Sequence, residues 1–410
     1  MRTDLTDSLS GLLPEEAFSH SVSSSLLPAL RTDVETAVAP GSTKEVAILL
    51  QWASENGVGV VPIGTGAHTY PRYPKDPFVV LTTSRLNEIQ DYEPADLTMT
   101  AGAGALIRNL STEMASHGQW LPFDPPDVPN RTLGGLVAAG LSGPLWAGYG
   151  QLRNHVLGAT IVCGDGRTLR LGGKVVKNVA GFDILKPMVG SRGELAIITS
   201  VTIRLFPLPV VDRLLVLEAT DISELVSTAR AVATAPIMPA SITLSSTADR
   251  GRLLVRLHGA GVSVEADQQN LEKHTGISFE ARDTPEAESL LAQERDSGID
   301  TELAVRVWAL PSRIDMLLDV LKQVPGVSVN ADVYGGSVRA YLPVNLSDIE
   351  SILSGLQKDI EELGGTVRPL RIPAEVNASS YFTKPLVDEG ELAAGLKRAF
   401  DPHTVLWGIK

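Results

Sequence analysis

Three glycine-bearing segments hold most of the residues whose type and spacing could do chemistry. The first is Gly64-Thr65-Gly66-Ala67, just after a short β-rich run. Glycines there let successive backbone N–H groups converge on a phosphate, forming an anion nest; the same letters also suit a plain tight turn. The second is TLGGLVAAGLSG, residues 132–143, with Gly134-Gly135 at a helix start. That pair suits close approach of a phosphate or a ring, or helix packing through small residues. The third is GSRGELAII, residues 190–198, a glycine turn feeding a buried strand, which also reads as a hairpin. GTGAHT lacks the third glycine of a dinucleotide fingerprint, AGAGALI does not complete one, and the residues before Gly173-Lys174 exclude a P-loop. None of the seven histidines has HxH or HExxH spacing, so no metal is expected. His68, in the first loop, reads either as a surface residue or as a cofactor attachment point. Cys163 is the only cysteine, which excludes an intrachain disulfide or a cysteine-ligated iron–sulfur cluster within this chain.

These segments need elements to hold them. Val46, Leu49, Leu50 and Ala53 recur at helical spacing before Asn56-Gly57, predicting a helix from Thr43. Strands are predicted at Val58–Val61, Phe78–Leu81 and Leu97–Ala101, and a helix at Ala105–Ser116. This order suggests one small α+β layer. LPFDPPDVPN, residues 121–130, is too proline-dense for a helix. Thr132 caps a predicted helix through Leu141. Asp165-Gly166 centres a hairpin in GATIVCGDGRTLRL, and Glu194–Phe206 is a long β-rich run ending in FPLP. Beyond residue 208, strand-like runs (Leu214–Leu217, Leu253–Leu257, Ala304–Trp308, Val338–Leu342) alternate with amphipathic helices (Ile222–Ala233, Ile314–Lys322, Ser347–Leu363). A second α+β domain is expected there.

The chain has 410 residues, 43% of them hydrophobic and 20% charged, an ordinary globular balance. A length prior gives two or three domains. The formal net charge of −13 makes nucleic acid a poor partner, and an anionic ligand must be met by local donors. No apolar run is long enough for a membrane-spanning helix, and the N-terminus does not read as a secretory signal. A cytoplasmic location is expected.

The order of the motifs is more specific than any one of them. The first glycine loop is followed by TTSRLNEIQDYEPADLTMTAGAGALI, PFDPPD, GGLVAAGLSGP, YGQLRNHVLGATIVCGDGRTLRLGG and KVVKNVAGFDILKPMVGSRGELAIITSVTIRLFPLP. This series resembles the FAD-binding domain of the vanillyl-alcohol-oxidase type (PCMH-type). Within that family it is most similar to the FAD-binding subunits of bacterial glycolate oxidases. The resemblance is close over about residues 30–208 and returns in LKRAFDPHTVL near the C-terminus. It implies an α+β architecture: an arm over 1–30, a two-lobed FAD-binding domain over 31–208, and a smaller α+β substrate or cap domain over 209–410.

The resemblance also implies the cofactor residues. Ile63, Gly64, Thr65, Gly66 and Ala67 would wrap the pyrophosphate. Thr132, Gly134, Gly135, Ser142 and Gly143 would flank flavin and phosphates. Tyr149, Gly150, Arg153, Val156 and Gly158 would run past the cofactor, and Gly193, Glu194 and Ile198 would meet its adenine side. Relatives with covalent flavin place histidine directly after the second loop glycine; here Ala67 stands there, so noncovalent FAD is expected. Glu194 and Ala196 stand where relatives often carry threonine and glycine, and the chain ends in LWGIK where many read asparagine–proline–glycine. The implied reaction is oxidation of a 2-hydroxy acid, glycolate to glyoxylate, with hydride passing to flavin. The implied partners are a second flavin subunit and an iron–sulfur subunit, which could hold the assembly at the inner membrane. Alternatives are a stand-alone oxidase of another hydroxy acid or alcohol, and a non-catalytic flavin-binding assembly subunit. A carboxylate substrate wants an arginine fork, for which Arg306, Arg339, Arg368 and Arg371 are candidates, though each also reads as a solvated or salt-bridged surface residue. The histidine pair of metal-dependent relatives is missing, and the resemblance implies that a second flavin subunit carries the main substrate site. No catalytic base is assigned.

Overall fold

The structure, a computed structural model, describes residues 5–18, 37–66, 77–173, 183–247, 250–298, 303–343, 349–371 and 391–406. A short helix α1 (Leu5–Ser10) buries Leu5 and Leu9. The helix α2 (Thr43–Asn56) starts where local chemistry dictates. The Ser42 hydroxyl accepts from the Glu45 amide, and the Glu45 carboxylate accepts from the Gly41 amide (2.8 Å) and the Ser42 hydroxyl. It ends at Gly57 and buries Val46, Leu49, Leu50 and Ala53, the predicted stripe.

Beside α2 lies a parallel sheet in the order β1 (Ala37–Val38), β3 (Phe78–Thr82), β2 (Gly59–Ile63). The strands β4 (Ile89–Glu93), β5 (Thr98–Gly102), β7 (Val156–Cys163), β8 (Thr168–Gly172) and β9 (Ala196–Arg204) form a second sheet, antiparallel, in the order β4-β5-β9-β7-β8. The single layer expected from the helix and strand order is therefore two sheets: β2 and β3 stay in the parallel one, and β5 joins the antiparallel one. Two short strands, β6 (Gln119–Trp120) and β10 (Phe206–Pro207), pair with each other. The helices α3 (Ile107–Ala115), α4 (Leu133–Ala139) and α5 (Trp146–Tyr149) complete this half. Thr132 does cap α4, accepting from the Gly135 amide, but Gly140 ends the helix at Ala139.

From Val211 the chain builds an antiparallel sheet of eight strands: β11 (Val211–Ala219), β12 (Ser241–Ser246), β13 (Gly251–Gly259), β14 (Glu280–Asp283), β15 (Leu303–Trp308), β16 (Ser328–Asp332), β17 (Ser337–Leu342) and β18 (Thr366–Arg371). Their order is β14-β11-β13-β12-β16-β17-β15-β18. Alternation along each strand decides what faces where. Leu303, Val305 and Val307 of β15, Val329 and Ala331 of β16, and Val338, Ala340 and Leu342 of β17 enter one hydrophobic core. That core is closed by α6 (Ile222–Thr234), α7 (Gly261–Thr275), α9 (Ile314–Lys322) and α10 (Ile349–Glu362). The intervening residues, Arg306, Trp308, Asn330, Asp332 and Arg339, are left on the opposite face. A further helix, α8 (Glu286–Asp296), packs Ala287 and Leu290 against Leu214, Val216 and Leu254.

The last helix, α11 (Glu391–Phe400), returns to the first half. Lys397 Nζ donates to the Glu194 carbonyl (2.7 Å), the Asp401 carboxylate (2.7 Å) and the Leu406 carbonyl (2.8 Å), and Leu406 bridges to Val60 of β2. Among the described residues, no helix is long and apolar enough to cross a membrane.

Candidate functional site

The three glycine segments meet. A Cβ at Gly64 would overlap the Thr132 hydroxyl, so the end of β2 sits directly on the start of α4. One at Gly135 would stand 2.8 Å from that same hydroxyl. Gly193 has φ 76° and lies against Pro62, whose ring carbon a Cβ would meet at 2.5 Å. The Gly190 and Arg192 amides donate to the Val137 and Ala138 carbonyls (3.0 and 2.8 Å), tying the third segment to α4. Among the described residues, the Ser191 hydroxyl, buried at this junction, has no hydrogen-bond partner. A cradle without side chains, a helix N-terminus and an orphaned buried donor fit a phosphate-bearing cofactor. Thr65 stands exposed at the loop tip. Ala67 and His68 lie outside the described residues.

The other expected residues divide. Ser142 accepts from the Leu152 amide (2.9 Å) and lines a cavity with Gly143 and Arg153. Gly143 leaves no room for a Cβ beside Asp124, whose carboxylate accepts from the Leu145 amide (2.9 Å). Burial pushes the Asp124 carboxyl up to about 6, against the pull of that amide. Val156 and Ile198 turn their side chains into the core. Gly158 belongs to the β7–β8 hairpin and pairs with Gly172. Each of these three therefore offers only backbone to a ligand. The Glu194 amide donates to the Ser191 carbonyl (2.9 Å), closing the turn.

Tyr149 and Gly150 sit where α5 docks on the second half. Tyr149 Oη pairs with His258 Nδ1 (2.8 Å), and His258 Nε2 with Asp212 Oδ1 (3.0 Å). Asp212 also holds Arg256 in a two-point ion pair. Burial alone would push Asp212 up, but the hydrogen bonds from Arg256 and His258 hold its carboxyl well below the usual range. Burial lowers His258 and pushes Tyr149 up to about 12. On the same helix, Trp146 Nε1 donates to Asp332 Oδ2 of β16 (2.6 Å).

Between the two halves lies a cavity of about 660 Å³. Its wall on the first half includes Gly140, Ser142, Gly143, Arg153, Gly190 and Arg192; its far wall is the polar face of β15–β18. All four candidate arginines line it. They are half-buried, not solvated surface residues. Cross-strand register sets Arg306 of β15 opposite Arg339 of β17 on one side and Arg368 of β18 on the other. Arg306 Nε donates to Ser337 Oγ (2.9 Å), and Arg339 Nη2 to Asn330 Oδ1 (2.8 Å). The guanidiniums of Arg306 and Arg368 lie 4.8 and 4.9 Å from the centre of the Trp308 ring. Such a row can bind a carboxylate through charge-assisted hydrogen bonds. Asp332 and Trp146 were missed by sequence reasoning. The only local signal is that Asp332 holds the polar-face position in SVNAD. Among the described residues, no cluster of His, Cys, Asp and Glu could hold a metal ion.

The glycine cradle and the cavity beside it can be compared with known proteins. The family described as FAD binding domain matches residues 34–172. Residues 34–172 form an FAD-binding domain. The match ends before the third glycine segment, which the fold adds to the cradle. Across 92% of the chain and 89% of that protein, the sequence is 25% identical to glycolate oxidase subunit GlcD of Bacillus subtilis. It is 42% identical to glycolate oxidase subunit GlcE of Escherichia coli over 30% of this chain, an alignment spanning only 35% of that protein. A solved structure of alkyldihydroxyacetonephosphate synthase superposes with a TM-score of 0.74 at 16% identity, covering 98% of this chain and 83% of that one. That likeness shows that the α+β fold is shared over both halves.

Proposed function

We propose that this chain is the FAD-binding subunit of an assembly that oxidises a small 2-hydroxy acid, with glycolate to glyoxylate as the reference reaction. The likeness to two glycolate oxidase subunits supports the substrate class. The observation that carries the reading is the arginine row, because it supports an anion site in this chain itself, next to the flavin domain. Arg306 and Arg339, oriented by Ser337 and Asn330, hold the substrate carboxylate. Ile63–Gly66, Thr132–Gly135 and Gly190–Gly193 hold the cofactor phosphates through backbone N–H groups, and no covalent bond is formed. Bound FAD supplies the acceptor for the α-hydrogen and its electron pair. With one cysteine and no metal-ligand cluster among the described residues, onward electron transfer falls to a second flavin subunit and an iron–sulfur subunit.

The test separates the two half-reactions. The FAD-loaded chain is mixed anaerobically with glycolate or D-lactate, and loss of yellow colour is followed. Bleaching is expected from at least one of them, while sustained turnover with a dye acceptor is expected only after both partner subunits are added. A chain that holds FAD and is bleached by neither acid refutes the reading. Robust turnover by the lone chain would instead make it a self-sufficient enzyme.

A further inference from the structure

Resting on that reading, we propose that Asp332 is the base that takes the proton of the substrate hydroxyl. Among the described residues, two carboxylates line the cavity. One, Asp127, accepts from Asn130 Nδ2 (2.6 Å) in an exposed turn at the rim. The other, Asp332, ends β16 and is half-buried between the sheet and α5. Its Oδ2 accepts from Trp146 Nε1 (2.6 Å) of the flavin domain, and its Oδ1 from the Gly335 amide (3.1 Å). A Cβ at Gly335 would overlap Oδ2, so the β16–β17 turn is built around this carboxylate. Each oxygen accepts one bond and retains capacity for a second.

Position argues for the role. Asp332 pairs across strands with Ser337, the acceptor for Arg306, and lies two residues from Asn330, the acceptor for Arg339. The base therefore shares one face with the arginines that hold the carboxylate. Its carboxylate also meets the flavin domain at Trp146. A 2-hydroxy acid whose carboxylate lies on the arginines presents its neighbouring hydroxyl on that same face. Arg306 of β15 and Arg339 of β17 act on the Asp332 charge, and the other charged and titratable groups of the cavity lining are Asp127, Arg131, Arg153, Arg192, Tyr334, Tyr341, Arg368 and Arg371. Burial pushes the Asp332 carboxyl up, opposed by the Trp146 and Gly335 donors and by Arg306 and Arg339. A raised carboxyl is the better match to a weakly acidic hydroxyl.

The O–H bond breaks and its proton passes to Asp332. The α C–H bond breaks, its hydrogen and both electrons leaving to the oxidant, FAD. The C–O bond becomes the carbonyl of the 2-oxo acid. Asp332 afterwards returns the proton to solvent.

The experiment uses the FAD-loaded full chain and three variants: D332N, D332E and W146F. Readouts are anaerobic bleaching by the active hydroxy acid as a function of pH, oxalate binding as a function of pH, flavin content and melting temperature. D332N is expected to keep FAD and bind oxalate, with bleaching slowed about 100-fold or more and the acid limb of the pH profile lost. Its oxalate affinity should no longer fall as pH rises, because the carboxylate that repels the second anion is gone. W146F, which keeps the carboxylate but loses its indole donor, should stay within a few-fold of wild type with the limb shifted to higher pH. D332N bleaching at near wild-type rate overturns the proposal. So does W146F losing as much as D332N, which would make Asp332 a docking residue only. Should D332N fail to fold, D332E must retain the limb, and its absence overturns the proposal equally. If wild-type chain is not bleached at all, the functional reading itself falls, and this proposal with it.

Discussion

Replacing Gly64 by alanine tests the cradle more directly than any change to a charged residue. The added methyl would stand within 3.0 Å of the Thr132 hydroxyl, closer than real Cβ contacts come. That hydroxyl is already committed to the Gly135 amide at 3.1 Å as the cap of α4. The clash can be relieved by swinging Thr132 out of its cap, at a cost of about 1 kcal/mol. Against this, alanine loses less backbone freedom on folding, a gain of about 0.4–1 kcal/mol. The two nearly cancel, so the apoprotein should melt within about 2–4 °C of wild type. FAD retention should nevertheless collapse, because Thr132 and the Gly135 amide move out of the phosphate position. The assay is a double-mutant cycle with T132A. Urea unfolding reads apoprotein stability, and the flavin-to-protein ratio after gel filtration reads retention. T132A alone loses the cap; with the hydroxyl gone, G64A should add little further cost, giving a coupling of about 1 kcal/mol. Strictly additive effects, or a G64A protein as yellow as wild type, would refute the geometry.

Other consequences follow from the same residues. Acid precipitation should release the yellow colour into the supernatant; colour in the pellet would show a covalent flavin. Replacing Arg339 by glutamine removes one charge-assisted partner and should raise KM for the hydroxy acid about tenfold or more at unchanged flavin content; an unchanged KM would remove it from the carboxylate site. Asp124 titrates at about 6 when folded, against 3.8 as its ordinary value, so the folded state favours its protonated form. Its contribution is full below about pH 4 and is lost as pH rises through 6, a difference of about 3 kcal/mol. D124N imitates the neutral form. Its unfolding free energy relative to wild type should therefore rise across that window, and parallel pH profiles would refute the assignment.

What could be read from the sequence was local. Ser42, Glu45 and Gly57 carry the boundaries of α2 within a few residues, and Asp165-Gly166 announces its hairpin, so both were legible. Strand β4 was not: its residues are all exposed or half-buried, leaving no alternation to detect. The same holds for α7, where only Val264 and Leu271 are buried, and for α8, where Ala287 and Leu290 are. The glycine segments were legible as pieces, but their convergence depends on Gly64 meeting Thr132 and Gly193 meeting Pro62, contacts across scores of residues. Arg306 and Arg339 each stand as the one charge in an apolar strand, LAVRVW and SVRAYL. Nothing local shows that β15 lies between β17 and β18, and that order is what turns separate arginines into a row. Trp146 and Asp332 are equally remote from each other in sequence, and only the docking of α5 joins them.

The row itself argues for function over stability. Like charges directly opposite on neighbouring strands destabilise a sheet, yet Arg306 faces an arginine on both sides. Ser337, Asn330 and the Trp308 ring orient these guanidiniums, and all four arginines line the cavity between the two halves. In a chain of net charge −13, that gathering creates a local positive field able to draw an anion against the overall one. Asp332, the half-buried carboxylate beside it, is then placed to act on what the arginines hold.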